Sequence, residues 1–142
     1  VSWNVSNKWS LFYSLTFAGE SISLAAGSTA LDIYNDLKLS KELENKGNYL
    51  INKLQKAIDE NSLTDNIRIY GMPCRPIIEI KHYSKNLSIK KTLSLNLIKD
   101  FAKKKILYNG SIFICKTHTF KQLNYMSLIF KEVLEKNKKY FK

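Results

Sequence analysis

The chain has 142 residues, of which 44% are hydrophobic and 25% are charged, so it is long enough for one domain with a hydrophobic core and lacks the composition of disordered or low-complexity proteins. No stretch approaches the roughly 18 consecutive apolar residues of a membrane span, and the N-terminal residues do not have the basic and apolar pattern of a signal peptide. We therefore expect a cytoplasmic protein without a membrane partner.

The formal net charge of +11 raises the question of nucleic-acid binding, because a basic surface releases counterions when it meets phosphates. Only two of the 23 basic residues are arginine, the side chain best suited to bidentate contacts with phosphate or guanine. The run Lys103, Lys104 and Lys105 is interpreted as a solvated helix end. The composition therefore argues against a nucleic-acid partner.

The two cysteines, Cys74 and Cys115, lie far apart in the sequence and fit no metal-ligand spacing. Two buried or half-buried thiols are favoured over a disulfide. No metal site is expected.

The N-terminal part of the chain predicts an aromatic arm followed by two helices. Residues 1–18 show neither a helical nor a strand period, and an aromatic arm left uncovered would mark an interface. Residues 19–35 predict a helix with small residues in its middle, and residues 40–60 predict a longer amphipathic helix with Ser40 as its N-cap. The apolar stripe of the longer helix consists of Leu43, Gly47, Leu50, Ile51, Leu54 and Ile58.

Two strands are predicted next, at residues 67–71 and 77–83, with an antiparallel arrangement. The segment from Met72 to Pro76 separates them, and its two prolines impose a turn because proline cannot donate to a sheet ladder. A third helix is predicted for residues 88–105, with apolar residues at a spacing of four.

The C-terminal part predicts a hairpin and a last helix. Asn109-Gly110, between the apolar runs of residues 106–115, is typical of a two-residue hairpin loop. Thr119 and Gln122 predict a capping box at the start of the last helix. The resulting order predicts an α/β (α+β) fold, a small sandwich in which helices cover a short, mostly antiparallel sheet.

Chemistry-bearing motifs are scarce. His82 and His118 have no neighbour at triad or metal-ligand spacing, so a structural role is favoured for each. Glycine-rich nucleotide-binding motifs and the serine-hydrolase elbow do not occur. Taken by itself, the segment does not look like an enzyme.

One segment changes that interpretation. Residues 12–27, FYSLTFAGESISLAAG, resemble the F-x-S-x-T-F-G-G-E-x-L-S-L-A-A-A stretch of class III pyridoxal-phosphate aminotransferases, in the branch of glutamate-1-semialdehyde aminomutase. Residues 71–75 are similar to that branch's G-x-P-x-R turn, and Gly47 lies where its long small-domain helix carries a glycine. Residues 106–110 are similar to its I-L-W-x-G, and residues 117–125 to its S-H-T-x-x-D-I-D-Y. The matches cover nearly the whole chain, and their common order carries most of the weight.

The resemblance implies the C-terminal portion of a fold-type I enzyme. Residues 1–18 would be an arm from the large, cofactor-binding domain, residues 19–38 a connecting helix and residues 39–142 the C-terminal small domain. The complete enzyme would use pyridoxal 5'-phosphate to transfer an amino group on a semialdehyde, keto acid or keto sugar, as a homodimer with its active sites between subunits.

In the family, the Schiff-base lysine and the aspartate that pairs with the pyridine nitrogen lie upstream of the T-F-G-G-E stretch. Lys8 is too close to that stretch to be this lysine. The chain is therefore expected not to be catalytic alone, and to be either a truncation or the product of a remnant gene.

The same resemblance implies that Thr16, with Ser14 beside it, contacts the cofactor phosphate of the neighbouring subunit. Ala18 replaces the first glycine of the family's pair, so a positive φ would be strained there. Glu20 is interpreted as a cap or charge partner of the following helix, with a substrate contact as the alternative. Arg75 suits a substrate carboxylate or phosphate, and a salt bridge that braces the turn is an equal alternative.

Two functions of other classes stay open. The first is a small basic module in which the aromatic arm and the lysines bind nucleic acid or a protein; single-stranded nucleic acid would then stack on Trp3 and Trp9. The second is a structural dimerisation unit that uses the uncovered arm.

Overall fold

A computed structural model of the chain describes residues 20–81 and 87–141, apart from the side chains of residues 87–90. The chain divides into two compact units, Val1–Leu37 and Lys38–Lys142. The predicted aromatic arm and His82 lie outside the described residues. Within the described residues, no helix combines the length and the apolar character needed to cross a membrane.

In the first unit, the described residues form helix α1, Ser21–Asp36, as the sequence predicts for residues 19–35. None of its residues is buried, and its large apolar side chains, such as Ile22 and Leu31, are exposed.

The second unit begins with helix α2, Leu39–Glu60, which confirms the helix predicted at residues 40–60. Leu50, Leu54 and Ile58 of its stripe are fully buried. The prediction that Ser40 is the N-cap is wrong. The helix begins one residue earlier, and Lys38 is its N-cap, with a left-handed backbone (φ 47°) and a carbonyl that accepts from the N–H groups of Lys41 and Glu42.

The sheet confirms the predicted antiparallel pair. Strand β1, Ile67–Met72, pairs with strand β2, Arg75–Ile80, in a register that places Ile69 opposite Ile78 and Gly71 opposite Pro76. The turn is shorter than predicted, because only residues 73 and 74 connect the strands and Pro76 is the second residue of β2. Proline is tolerated near the start of a strand.

The predicted hairpin at Asn109-Gly110 is wrong. Gly110 has a positive φ of 106°, but the chain after it pairs with β2 instead of folding back on residues 106–108. The Ile112 N–H donates to the Pro76 carbonyl at 2.9 Å, and the Ile114 N–H donates to the Cys74 carbonyl at 3.0 Å. Residues 111–114, here called the edge segment, satisfy the free edge of β2, which is what an unpaired strand requires.

Two further helices enclose the core. Helix α3, Leu87–Lys103, and helix α4, Phe120–Asn137, confirm the two predictions for this part of the chain, and α4 begins with the predicted capping box of Thr119 and Gln122. Helix α2 packs on α4, α3 packs on α4, and α2 also contacts both strands. The core is aliphatic around a stacked pair, Phe101 and Phe130, whose ring centroids are 6.3 Å apart. The described residues of this unit thus form an α+β fold, as expected.

Candidate functional site

The sequence-predicted site residues do not all fall in the described part of the chain. Thr16 and Ser14, the expected phosphate contacts, lie outside it, as do Lys8 and Ala18. Of the two expected substrate contacts, Glu20 belongs to the first unit and Arg75 to the second.

Glu20 is the N-cap of α1. Its carboxylate accepts hydrogen bonds from the N–H groups of Ile22, at 2.9 Å, and Ser23, at 2.7 Å. These bonds, led by the contact with the Ser23 side chain, lower the pKa of Glu20. They satisfy two of the free donors at the helix start and place a negative charge at the positive end of its dipole. Glu20 therefore caps the helix, as the sequence predicts.

In the second unit, the turn between β1 and β2 lies against α2 at Gly47. A Cβ atom added to Gly47 would lie 2.0 Å from the Pro73 carbonyl oxygen and 2.2 Å from its carbonyl carbon. Only glycine permits this approach, since real Cβ contacts are never that short. Gly47, the glycine in the apolar stripe of α2, is therefore the point where the turn between β1 and β2 contacts the helix.

Arg75 begins β2 immediately after this turn. Its guanidinium lies over the ring of Phe113 in the edge segment, with 4.8 Å from Cζ to the ring centroid. The side chain is exposed, and no carboxylate of the described residues forms an ion pair with it. The salt bridge that was the alternative role for Arg75 is not present there; the guanidinium instead makes a cation–π contact with Phe113, and its N–H donors stay available.

The residues after the edge segment form a tight polar turn. The Cys115 N–H donates to Nδ1 of His118 at 3.1 Å, and the Cys115 Sγ lies 3.1 Å from the Thr117 hydroxyl. The Thr117 hydrogen bond is the main cause that lowers the pKa of the Cys115 thiol. Both cysteines are free thiols; Cys74 is half-buried as expected, whereas Cys115 is exposed. His118 has the expected structural role, because its ring nitrogen closes the turn.

Lys46, which is only 7% exposed, ties this turn to α2. Its ammonium group donates to the Lys116 carbonyl at 2.7 Å and to the Glu42 carboxylate at 2.6 Å. A buried ammonium group is costly unless it is paired in this way. The contact therefore fixes residues 115–118 against the same end of the helix as the Pro73 turn.

These contacts define one site, here called the hairpin-end cluster. It comprises Gly47, the turn residues Pro73 and Cys74, Arg75 at the start of β2, Phe113 and residues 115–118. It offers a guanidinium, a thiol with a lowered pKa and an imidazole. Within residues 20–81 and 87–141 no group of three or more histidine, cysteine, aspartate or glutamate side chains could hold a metal ion.

The described residues do not fit pyridoxal phosphate by themselves. The cofactor requires a lysine amine, an acidic partner for its ring nitrogen and a phosphate cup in one place. Beside the hairpin-end cluster the amine of Lys46 is already engaged by two partners, and no carboxylate of the described residues forms an ion pair with Arg75.

Two parts of this site are not predicted from the sequence. Phe113 lies within the apolar run of residues 106–115, and its contact with Arg75 follows from the register of the edge segment on β2. The turn at residues 115–118 has a weak sequence signal, the spacing of a cysteine, a threonine and a histidine before a capping box.

No protein-family model matches the chain, and no curated protein or solved structure is found to be similar to it.

Proposed function

We propose that the chain is the C-terminal part of a pyridoxal-phosphate-dependent aminotransferase or aminomutase, with residues 39–142 as its fold-type I small domain. The observation that carries the proposal is the hairpin-end cluster. Three of the segments that resemble the family, namely Gly47, residues 71–75 and residues 117–118, lie together in it, although they are distant in the sequence.

The contact between Gly47 and Pro73 gives a physical reason for two of these resemblances at once. The helix needs a glycine because the turn approaches it, and the turn is held in place by the hydrogen bond from Ile114 to the Cys74 carbonyl. A fourth resembling segment, residues 106–110, reaches the same sheet through Gly110, whose carbonyl accepts from the Ile78 N–H of β2 at 3.3 Å. The direct contact between Gly47 and Pro73, two positions that are distant in the sequence, supports the proposal.

In the proposed enzyme, most of the cofactor site lies outside the described residues. Bound pyridoxal phosphate would act as an electron sink for an amino-group transfer on a semialdehyde, keto acid or keto sugar. By resemblance, Thr16 and Ser14 would hold its phosphate across the interface of a homodimer. The exposed guanidinium of Arg75 would bind a carboxylate or phosphate of the substrate, with its plane set by Phe113.

The proposal is tested by incubating two proteins with pyridoxal phosphate, namely this chain alone and the product of the complete reading frame that encodes it. We expect the visible absorbance of protein-bound cofactor only in the longer protein. Bound cofactor on this chain alone would contradict the proposal. Its absence from both proteins would also contradict it and would favour the small basic binding module.

A substitution in the longer protein tests the role of Thr16. Thr16→Val removes the hydroxyl expected to contact the phosphate, so we expect the dissociation constant for pyridoxal phosphate to rise by roughly tenfold or more, as for loss of a hydrogen bond to a charged group. Thr29→Val is the matched control, because the Thr29 hydroxyl bonds only to the Ala25 carbonyl within α1, at 3.0 Å. Equal increases of the dissociation constant in the two variants would contradict the assignment of Thr16 to the cofactor phosphate.

A further inference from the structure

A second concave surface lies between the end of α3 and the start of α4, and it shares Phe113 and His118 with the hairpin-end cluster. Its volume is about 590 Å³, within the range of roughly 300–1,000 Å³ common for small-molecule sites. Its floor is apolar and includes Ile112 and Leu123, which are buried, and Met126, which is partly buried. We call this surface the basic groove.

The side chains that line the basic groove include lysines and no carboxylate, among the residues that the structure describes. Lys104 is neutralised by Glu132 of α4, with 2.8 Å between the ammonium nitrogen and the carboxylate oxygen. Lys105 follows it with a left-handed backbone (φ 61°) and has no ion-pair partner in the described ranges. One uncompensated cation is therefore available at the groove.

Polar side chains also line this surface. The Cys115 N–H donates to Nδ1 of His118, so Nδ1 is the acceptor and the Nε2 N–H has no hydrogen-bond partner among the described residues. The side chains of Asn109 and Ser111 also line the groove, and neither hydrogen-bonds to another described side chain or backbone group. Helix α4 begins beside them with no acidic residue in its first turn, so its dipole adds positive potential.

The rim of the groove is apolar and exposed. Leu107 is fully exposed (102%) and Phe113 is 61% exposed. Exposed apolar side chains around a concave surface are typical of binding sites. A ligand for this surface must therefore combine negative charge with an apolar body.

We propose that the basic groove is a binding site for a small organic anion, a carboxylate or phosphate monoester with an apolar body. Its anionic group lies between Lys105 and the donors of His118 and Ser111, and its apolar body covers Ile112, Met126 and the rim. Two other occupants fit less well. Residues 1–18 contain no acidic residue, and a second copy of the chain would bring a further net charge of +11. The inference does not rest on the proposed function: it shares Phe113 and His118 with the hairpin-end cluster but uses neither the cofactor nor Arg75.

The test uses 2-naphthoate as the probe and 2-naphthalenemethanol as its uncharged analogue, titrated into the isotopically labelled full chain and followed by amide chemical shifts. We expect saturable shifts at residues 104–113 and 118–126 with naphthoate. The alcohol should bind at least several-fold more weakly, because it makes no charge-assisted hydrogen bond.

Two pairs of variants locate the site. Lys105→Gln should weaken naphthoate binding on the order of tenfold, whereas Lys103→Gln, which removes the same charge two residues earlier and outside the groove, should leave it unchanged. Leu107→Ser should weaken binding several-fold, and Leu95→Ser, a change of an exposed leucine on α3, should not. Leu107 and Lys105 are exposed, so these variants are expected to fold.

Four outcomes would overturn the proposal. Equal losses in Lys105→Gln and Lys103→Gln would show a general charge effect. Equal binding of the alcohol would show that the anion is not recognised. Chemical-shift changes outside residues 104–126 would show that naphthoate binds elsewhere. No binding at millimolar naphthoate would show that the groove is not such a site.

Discussion

Replacing Gly47 by alanine separates two opposing physical effects within one helix. An alanine in a helix interior is normally favoured over glycine by about 1 kcal/mol. At position 47, however, the new methyl group would lie 2.0 Å from the Pro73 carbonyl oxygen. The turn would have to move by about 1.4 Å for the methyl group to reach an ordinary contact distance of 3.4 Å from that oxygen.

That movement is resisted from the other side of the turn. The Cys74 carbonyl accepts from the Ile114 N–H at 3.0 Å, and the Arg75 guanidinium is stacked on Phe113. Overpacking of a tight contact costs about 1–3 kcal/mol and sometimes more, and a backbone neighbour cannot change rotamer to relieve it. We place Gly47→Ala at the upper end of that range, so after the helical gain the expected net loss of stability is about 2 kcal/mol.

The assay is urea unfolding followed by far-ultraviolet circular dichroism. A loss of this size should lower the midpoint by about 1 M urea or more for a unit of this length. Asn48→Ala is the matched control, because Asn48 is the exposed neighbour in α2 and its change brings only a gain in helix propensity of a few tenths of a kcal/mol. A Gly47→Ala protein as stable as the Asn48→Ala protein would refute the close-approach explanation.

Three further predictions follow from single contacts. Burial opposes ionisation of Asp100, but hydrogen bonds from Lys136 and Asn137 outweigh it and lower the pKa of Asp100 below its ordinary 3.8. This carboxylate therefore stabilises the fold at neutral pH, and the contribution is lost as the pH falls below about 4 and through the lowered folded pKa. Asp100→Asn should accordingly flatten the pH dependence of the unfolding free energy below about pH 4. The thiol of Cys115 should react with iodoacetamide at neutral pH faster than in a Thr117→Val variant, because the Thr117 hydroxyl lowers the pKa of the Cys115 thiol. Loss of the capping box in Thr119→Ala should reduce stability by about 1 kcal/mol in urea unfolding.

Each of these predictions has a control within the chain. Glu44→Gln, a change of an exposed carboxylate of α2 that forms no ion pair with the described residues, should leave the acid dependence unchanged. Cys74 is half-buried, and its alkylation rate should not respond to Thr117→Val. Ser28→Ala, within exposed α1, should not reproduce the loss expected for Thr119→Ala.

The helices could be predicted because their signals are local. In α2 and α4 a single apolar stripe and, for α4, a capping box are sufficient to define the helix, and both helices lie where the sequence indicates. The hairpin prediction failed because Asn109-Gly110 is also a local signal. The free edge of β2 determines the path of residues 111–114, and β2 lies more than thirty residues earlier in the sequence. The Asn109-Gly110 dipeptide carries no information about that partner.

The site shows the same division between local and distant information. The position of Gly47 in the stripe was readable, but its reason, the Pro73 carbonyl, depends on how α2 and the turn pack. The stack of Arg75 on Phe113 likewise depends on strand register. Thr16 and Ser14 stay predictions that derive from resemblance alone, because they lie outside the described residues.

The central proposal is that this chain is the C-terminal part of a pyridoxal-phosphate enzyme whose covalent lysine lies outside residues 1–142. The most direct measurement is borohydride reduction of the complete reading-frame product after incubation with pyridoxal phosphate, with mass spectrometric mapping of the labelled lysine. We predict a single pyridoxyl-lysine, upstream of Val1. A specifically labelled lysine within the chain, such as Lys46, or a protein that takes up no cofactor, would contradict it.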